Sequence, residues 1–379
     1  MKALMCVIGL LGATSTVYGG IIFQQSVSSL AQAADLIVVG SASGNFSPPS
    51  AVNFSVKVAR VIKGQSTVVG TAIPVQWNTN GIPGLQIQPG DSIPLAGNGI
   101  WFLQQSGSAW SLLPVVQGAA PFEMTYFPSP TTPIADVYAY APTAALQDKL
   151  ASELSAAIGS LNGSYNYQLY GLLSGNLDQL NSPVTQVCYQ SLSTSTSVQN
   201  QILGLSGLIR NGSITALTTA GSAAANLFSS YAIEYGLLLS SIRDEFRFSD
   251  TSSIAALGGA AVDSTYANLP FREAAAHALA AIHSAPTLPY LAALLNDPDP
   301  ALRVDAIGGM GAFANGLPVQ TTAGVASLAF LQVPASAPYK TAETMANFAM
   351  GSTAIETNEA SYLSFWNGWW SSNRASLGF

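Results

Sequence analysis

The stretch LPYLAALLNDPDPALRVDAIGGMGAFA, residues 288–314, decides how this chain reads. Leu288, Leu291, Leu294 and Leu295 recur at three- and four-residue spacing and mark one face of a first helix. The run Asp297-Pro298-Asp299-Pro300 stops that helix and starts another. Asp299 can cap exposed backbone N–H groups, and Pro300 takes the first helical position, where no N–H is needed. Leu302, Ala306, Met310 and Phe313 then line the second helix.

The second helix repeats. Phe271 and Arg272 match Leu302 and Arg303, Ala275 matches Ala306, Ala276 matches Ile307, Leu279 matches Met310 and Ile282 matches Phe313. The offset is constant at 31 residues, the step from Arg272 to Arg303. Val198 to Ile209 followed by Ser213 to Leu217 gives a looser third copy. Segments near 144–158, 165–174, 183–193, 223–242 and 341–350 are helical by period but degenerate as repeats. A lone helix pair leaves an apolar face that only a neighbour can cover, so these segments are expected in the same stack.

An apolar residue, Arg, small or apolar positions and a Leu-like residue at this spacing resemble the second helix of HEAT-like repeats. The preceding Leu-Pro-Tyr-Leu-Ala-Ala-Leu-Leu-Asn-Asp-Pro-Asp-Pro looks like the first helix and turn of the same unit. The resemblance implies a structural role for Arg272 and Arg303, bonding across the repeat turn or to the next unit, with Asp297 and Asp299 as turn and cap residues.

Ahead of the helices the period changes to two. Asp35 to Val39 is mainly apolar, and Val52, Phe54, Val56 and Val58 alternate with Asn53, Ser55 and Lys57, as in a strand with one buried face. Lys63-Gly64 supplies a turn, and Val68 to Trp77, Ile100 to Gln104 and Trp110 to Val116 give three more strands, the last two joined across Ser106-Gly107. Five short strands hide both sheet faces only by curling, which predicts a small barrel. The segments ADLIVVG (34–40), FSVKVARVIKG (54–64) and WFL (101–103) resemble the OB-like barrels of the netrin and tissue-inhibitor-of-metalloproteinase group. The animal inhibitors rely on an N-terminal Cys and on disulfides that this sequence lacks, so protease inhibition is not implied.

The expected fold class is therefore multidomain β + α, a small N-terminal barrel followed by an all-α HEAT-like solenoid. The expected boundaries are 1–19 for a signal peptide, 20–127 for the barrel domain, 128–143 for a Pro-rich linker and 144–379 for the helical domain. Met1 and Lys2 precede an apolar run from Ala3 to Leu11 that is too short to span a bilayer and ends in small residues near Gly19. That pattern predicts export, secreted or periplasmic. Cys6 falls in the leader, leaving Cys188 beside Val184, Val187 and Leu192 as an apolar core position.

Of the 379 residues 49% are hydrophobic and 8% charged, with a formal net charge of −7, which disfavours nucleic acid and anionic membrane surfaces. The two histidines, His277 and His283, lie about 240° apart around a helix and cannot chelate one ion together. Gly204-Leu-Ser206-Gly207 imitates a nucleophile elbow without the strand or the final Gly. The run from Gly309 to Ala314 fits a loose dinucleotide pattern at the end of a repeat helix, where small residues serve close packing. Asp305 is left as a spare carboxylate, and Arg243 to Arg247 reads as a solvated helix end. No catalytic, cofactor or metal residues are expected.

The final helix gathers Tyr362, Phe365, Trp366, Trp369 and Trp370. It reads first as a cap on the stack. Trp366, Trp369 and Trp370 are also the candidate partner-binding residues, as a peptide or sugar platform with Trp77 as a further candidate. The expected function is a non-enzymatic scaffold holding an unknown protein partner in a concave groove, with carbohydrate or cell-envelope binding as the alternative.

Overall fold

In the computed structural model a small β-barrel precedes an all-α region. The structure describes residues 27–43, 45–46, 52–77, 93–94, 97–113, 143–160, 167–227, 231–247, 250–264, 268–321 and 359–379. The leader, nearly all of the linker and the helix expected at 341–350 lie outside these residues. The chain divides into two compact units, residues 1–185 and 186–379.

The first unit opens with a helix the sequence reading missed, α1 (Val27–Ala33), which buries Val27, Leu30 and Ala31. The strands follow: β1 (Leu36–Ser43), β2 (Asn45–Phe46), β3 (Val52–Lys63), β4 (Ala72–Trp77), β5 (Ile93–Pro94), β6 (Gly97–Ser106) and β7 (Ala109–Leu112). The barrel closes in the order β1-β3-β4-β7-β6, with β2 and β5 paired separately. β4 and β7 run parallel, and the other barrel pairs are antiparallel. The expected strand from Val68 starts late, because Ser66–Val68 forms a 3-10 turn and pairing begins at Ala72.

Leu36, Val38, Ala42, Phe54, Val56, Val58, Ile73, Val75, Trp101, Leu103 and Leu112 fill the interior. Their neighbours Ile37, Val39, Ile100 and Phe102 are buried too, which explains the unbroken run at the start of β1. Helices cover the outside of the barrel. α1 packs on β6, and α2 (Leu146–Ser160) packs on β3. Lys63 donates from Nζ to the carbonyls of Ala31 and Ala34 at 2.9 and 2.6 Å, satisfying the end of α1. The backbone N–H of Val27 donates to Asn176 Oδ1 in α3 (Tyr167–Gln179) at 3.1 Å.

Arg60 of β3 grips Glu153 of α2 through two bonds, Nε to Oε1 and Nη2 to Oε2, each 2.8 Å. The Glu153 side chain is 3% exposed, so its charge depends on that partner. Glu153→Gln keeps the shape and removes the charge. It is expected to lower stability by about 1.5 to 3 kcal/mol in urea unfolding, the range for hydrogen bonds to charged groups.

The second unit holds α5 (Val198–Arg210), α6 (Ile214–Leu227), α7 (Ala232–Arg243), α8 (Thr251–Val262), α9 (Leu269–Ala280), α10 (Leu288–Leu294), α11 (Pro300–Ala314) and α12 (Glu359–Asn373); α4 (Pro183–Ser193) spans the division between units. The single segment expected at 223–242 is instead the end of α6 and all of α7. Helices alternate between two layers. α5, α7, α9 and α11 pack side by side in one, and α6, α8 and α10 in the other. Phe271, Ala275, Ala276 and Leu279 in α9 and Leu302, Ala306, Ile307 and Met310 in α11 are all buried, so the 31-residue register is the register of the core.

Glycines set the closest approaches. A Cβ on Gly309 would lie 2.8 Å from Ala280 Cα, and one on Gly258 would lie 2.3 Å from the Tyr290 ring. The elbow look-alike sits inside α5. Ser206 is fully buried and donates to the Ile202 carbonyl at 2.8 Å, while Gly207 lies beneath the Tyr189 ring. Cys188 is buried as expected, but Val187 is 64% exposed. The apolar stripe of α4 therefore follows four-residue steps from Val184 through Cys188 to Leu192. Among the described residues no helix is long and apolar enough to cross a membrane.

Candidate functional site

The turn 297–300 works as its sequence suggests in one respect and does more in another. Asp299 Oδ1 caps α11 by accepting from the N–H of Ala301 at 2.8 Å, and Asp297 Oδ1 accepts from the N–H of Asp299 at 2.9 Å. The other oxygen of Asp297 receives Arg272 Nη2, while Arg272 Nε donates to the Ala261 carbonyl at the end of α8 at 3.0 Å. One guanidinium thus ties α9 to the helix before it and to the turn after it.

Arg303 has the same place in α11, the fourth helical residue, and a different set of partners. Nη1 donates to the carbonyls of Asp297 and Pro298 at 2.7 and 2.8 Å. Nε and Nη2 reach the Glu359 carboxylate at the start of α12 at 2.7 and 3.0 Å.

α12 packs on α10 and α11. Trp366 is 3% exposed, and Trp369 meets Phe313 edge-on, with ring centroids 6.4 Å apart. Trp366 and Trp369 also contact each other at 5.7 Å. Trp370 is partly exposed and leans on Phe379 at 5.7 Å; Phe379 and Phe365 are each 49% exposed. The three candidate tryptophans therefore differ: one is in the core, one sits in a helix contact and one is on a partly open surface.

A cluster the sequence reading did not assemble lies across α7, α9 and α11. His277 Nδ1 is 3.1 Å from Asp305 Oδ1, with the two side chains 42% and 16% exposed. Partial burial pulls the His277 pKa down, but the hydrogen bond and charge of Asp305, helped by Asp244, outweigh it and hold the imidazole above its ordinary value. Arg243 and Asp244 pair at the end of α7, with Nε to Oδ1 at 2.9 Å. Glu273, one turn before His277, is raised by burial and then by Asp299 and Asp305. Asp305 is therefore not spare.

The pairing had a signal in the sequence. Asp305 follows His277 by 28 residues, one helical turn short of the 31-residue register. The run 243–247 also differs from a wholly solvated end, since Phe246 is fully buried and Glu245 reaches Arg210 at 3.4 Å.

His283 lies elsewhere, 2% exposed, with Nδ1 3.0 Å from the Pro318 carbonyl. Among the described residues no three His, Cys, Asp or Glu side chains are placed to hold a metal ion. The cluster across α7, α9 and α11 gathers acidic and basic side chains on a partly exposed helix face. A scan against family models and searches of curated proteins and of solved structures find no match to this chain.

Proposed function

We propose that this chain is an exported, non-enzymatic scaffold whose HEAT-like helical stack holds a protein partner, with an OB-like barrel as an added binding module. The observation that carries the reading is the two-layer alternation of helices, with a 31-residue register shared by α9 and α11. Stacks of this kind present long open helix faces, and their stability comes from contacts between neighbouring pairs. Arg272 and Arg303 serve those contacts. The barrel order, in which the third and fifth strands of the barrel lie parallel, supports the OB-like comparison. Lys2 and the apolar run from Ala3 to Leu11 support export.

With 8% of residues charged, the grouping of Arg243, Asp244, Glu273, His277 and Asp305 on three adjacent helices makes this face the docking surface to test. The test is affinity capture from the envelope fraction and culture supernatant, using wild type and an Arg243→Glu/Asp244→Lys/Glu273→Lys variant that still folds. The expected result is one protein recovered by wild type and lost with the variant. Recovery of nothing specific, or equal recovery by both, counts against the reading.

Exposed Phe365 and Phe379, the latter beside Trp370, favour glycan binding as a second reading. Burial of Trp366 and the seating of Trp369 on Phe313 weaken it. Cosedimentation with cell-wall glycan that is unchanged by Phe365→Ser and Trp370→Ser would remove it.

A further inference from the structure

Both histidines of the chain tie the same two helices together. His277, in the third turn of α9, reaches across to Asp305 in α11. His283 follows the end of α9 and reaches the Pro318 carbonyl just beyond α11, where a second tie runs from the N–H of Gln320 to the Ile282 carbonyl at 3.0 Å. His283 also turns the chain toward α10, with a φ of 55° that a non-glycine residue adopts only when its surroundings hold it. We infer that the step from α9 to α11 is a pH-gated joint, closed most tightly while His277 is charged and His283 is neutral.

The chemistry of the two ties differs. Asp305 accepts from His277, and protonation of the ring turns that hydrogen bond into an ion pair. Pro318 offers a carbonyl, which needs only the Nδ1–H of a neutral His283, and a second proton would place a full charge in a site that is 2% exposed. The groups acting on His277 are Asp305 from α11 and Asp244 and Arg243 from the end of α7; Glu273 precedes it on its own helix. α8 and α10, also packed on α9, carry no charged side chain. His283 is governed by burial, then by the Pro318 carbonyl, and its pKa is lowered.

The signs follow from proton linkage. His277 is raised in the folded state, so its contribution is full below the ordinary imidazole value of about 6.5 and is lost as pH rises through the folded value. His283 is lowered, so the unfolded chain takes up a proton that the folded chain refuses. Stability at this site falls as pH drops below about 6.5. The joint is tightest between the two folded values and loosens on either side.

The decisive measurement is an NMR titration of the two imidazoles in the whole chain, with amide exchange of α11 followed over the same range and corrected for intrinsic rates. One ring is expected to titrate above about 6.5 and the other below it, with α11 best protected between the two midpoints. Asp305→Asn should move the upper midpoint down and leave the lower one in place. His277→Gln should speed α11 exchange several-fold below about pH 6.5, with the difference from wild type shrinking as pH rises through the upper midpoint. A shared midpoint, or α11 protection without a maximum between two midpoints, overturns the inference. Because the wild-type titration carries the test, it stands even if a His283 variant fails to fold.

Discussion

Gly204→Ala is expected to destabilise the helical unit by about 3 kcal/mol, the upper part of the usual range for overpacking. The added Cβ would sit 2.2 Å from the Ser193 backbone nitrogen and 2.7 Å from Leu192 C and Ser193 Cα. These are main-chain atoms at the end of α4, so no side chain can rotate aside, and α4 and α5 would have to separate. In thermal unfolding this corresponds to a drop of roughly 6 to 12 °C for a unit of this size. Gly259→Ala supplies the contrast. That glycine is mid-helix and exposed, and its Cβ would enter open space. The same substitution should there raise stability by about 0.5 to 1 kcal/mol through helix propensity. Equal effects at the two sites would show that α4 and α5 do not meet as described.

The other large effect is expected at Arg272. Removing the side chain leaves Asp297 buried without its cation and the Ala261 carbonyl without its donor. Breaking a buried pair from one side costs about 3 to 5 kcal/mol, and Arg272→Ala should fall in that range by denaturant unfolding. Asp297→Asn in the Arg272→Ala background should cost little more, because the orphaned charge is then gone. A double-mutant cycle reads the difference as a coupling of about 0.5 to 3 kcal/mol. Additive effects would mean that the two side chains do not interact in solution.

Much of this architecture could be read from residue order because burial imposes a period. Phe54, Val56 and Val58 face one way in β3, and Leu288, Leu291, Leu294 and Leu295 face one way in and just beyond α10. Where the period is short or shared, the reading slips. α1 is seven residues long with three buried positions, too brief to stand out beside the following strand. Val68 has the composition of a strand residue but lies in a 3-10 turn that delays β4 to Ala72.

Partner choice was harder to see than position. The repeat register placed Arg272 and Arg303 at equivalent points, yet one binds a carboxylate in the next turn and the other a carboxylate in α12, separated from it by 56 residues. His277 and Asp305 meet only because α9 and α11 are neighbours in one layer, a fact of topology that neither residue carries by itself. The tryptophans of α12 share a spacing but not an environment, since Phe313 and the core take two of the rings inward.

Closure of the barrel bears on how fast the protein matures. Pairing of β1 with β6 joins Leu36 to Leu103, and the intervening chain must be gathered before that ladder gains a single bond. From α5 to α11 the helices of the other unit meet partners one or two elements away in the chain, so they can zip up from any early pair. Stopped-flow refolding should therefore show a fast phase in helical signal and a slower one in the fluorescence of Trp101, which the barrel buries. During synthesis the barrel strands emerge before the helices of the other unit, yet the barrel is expected to finish folding after them.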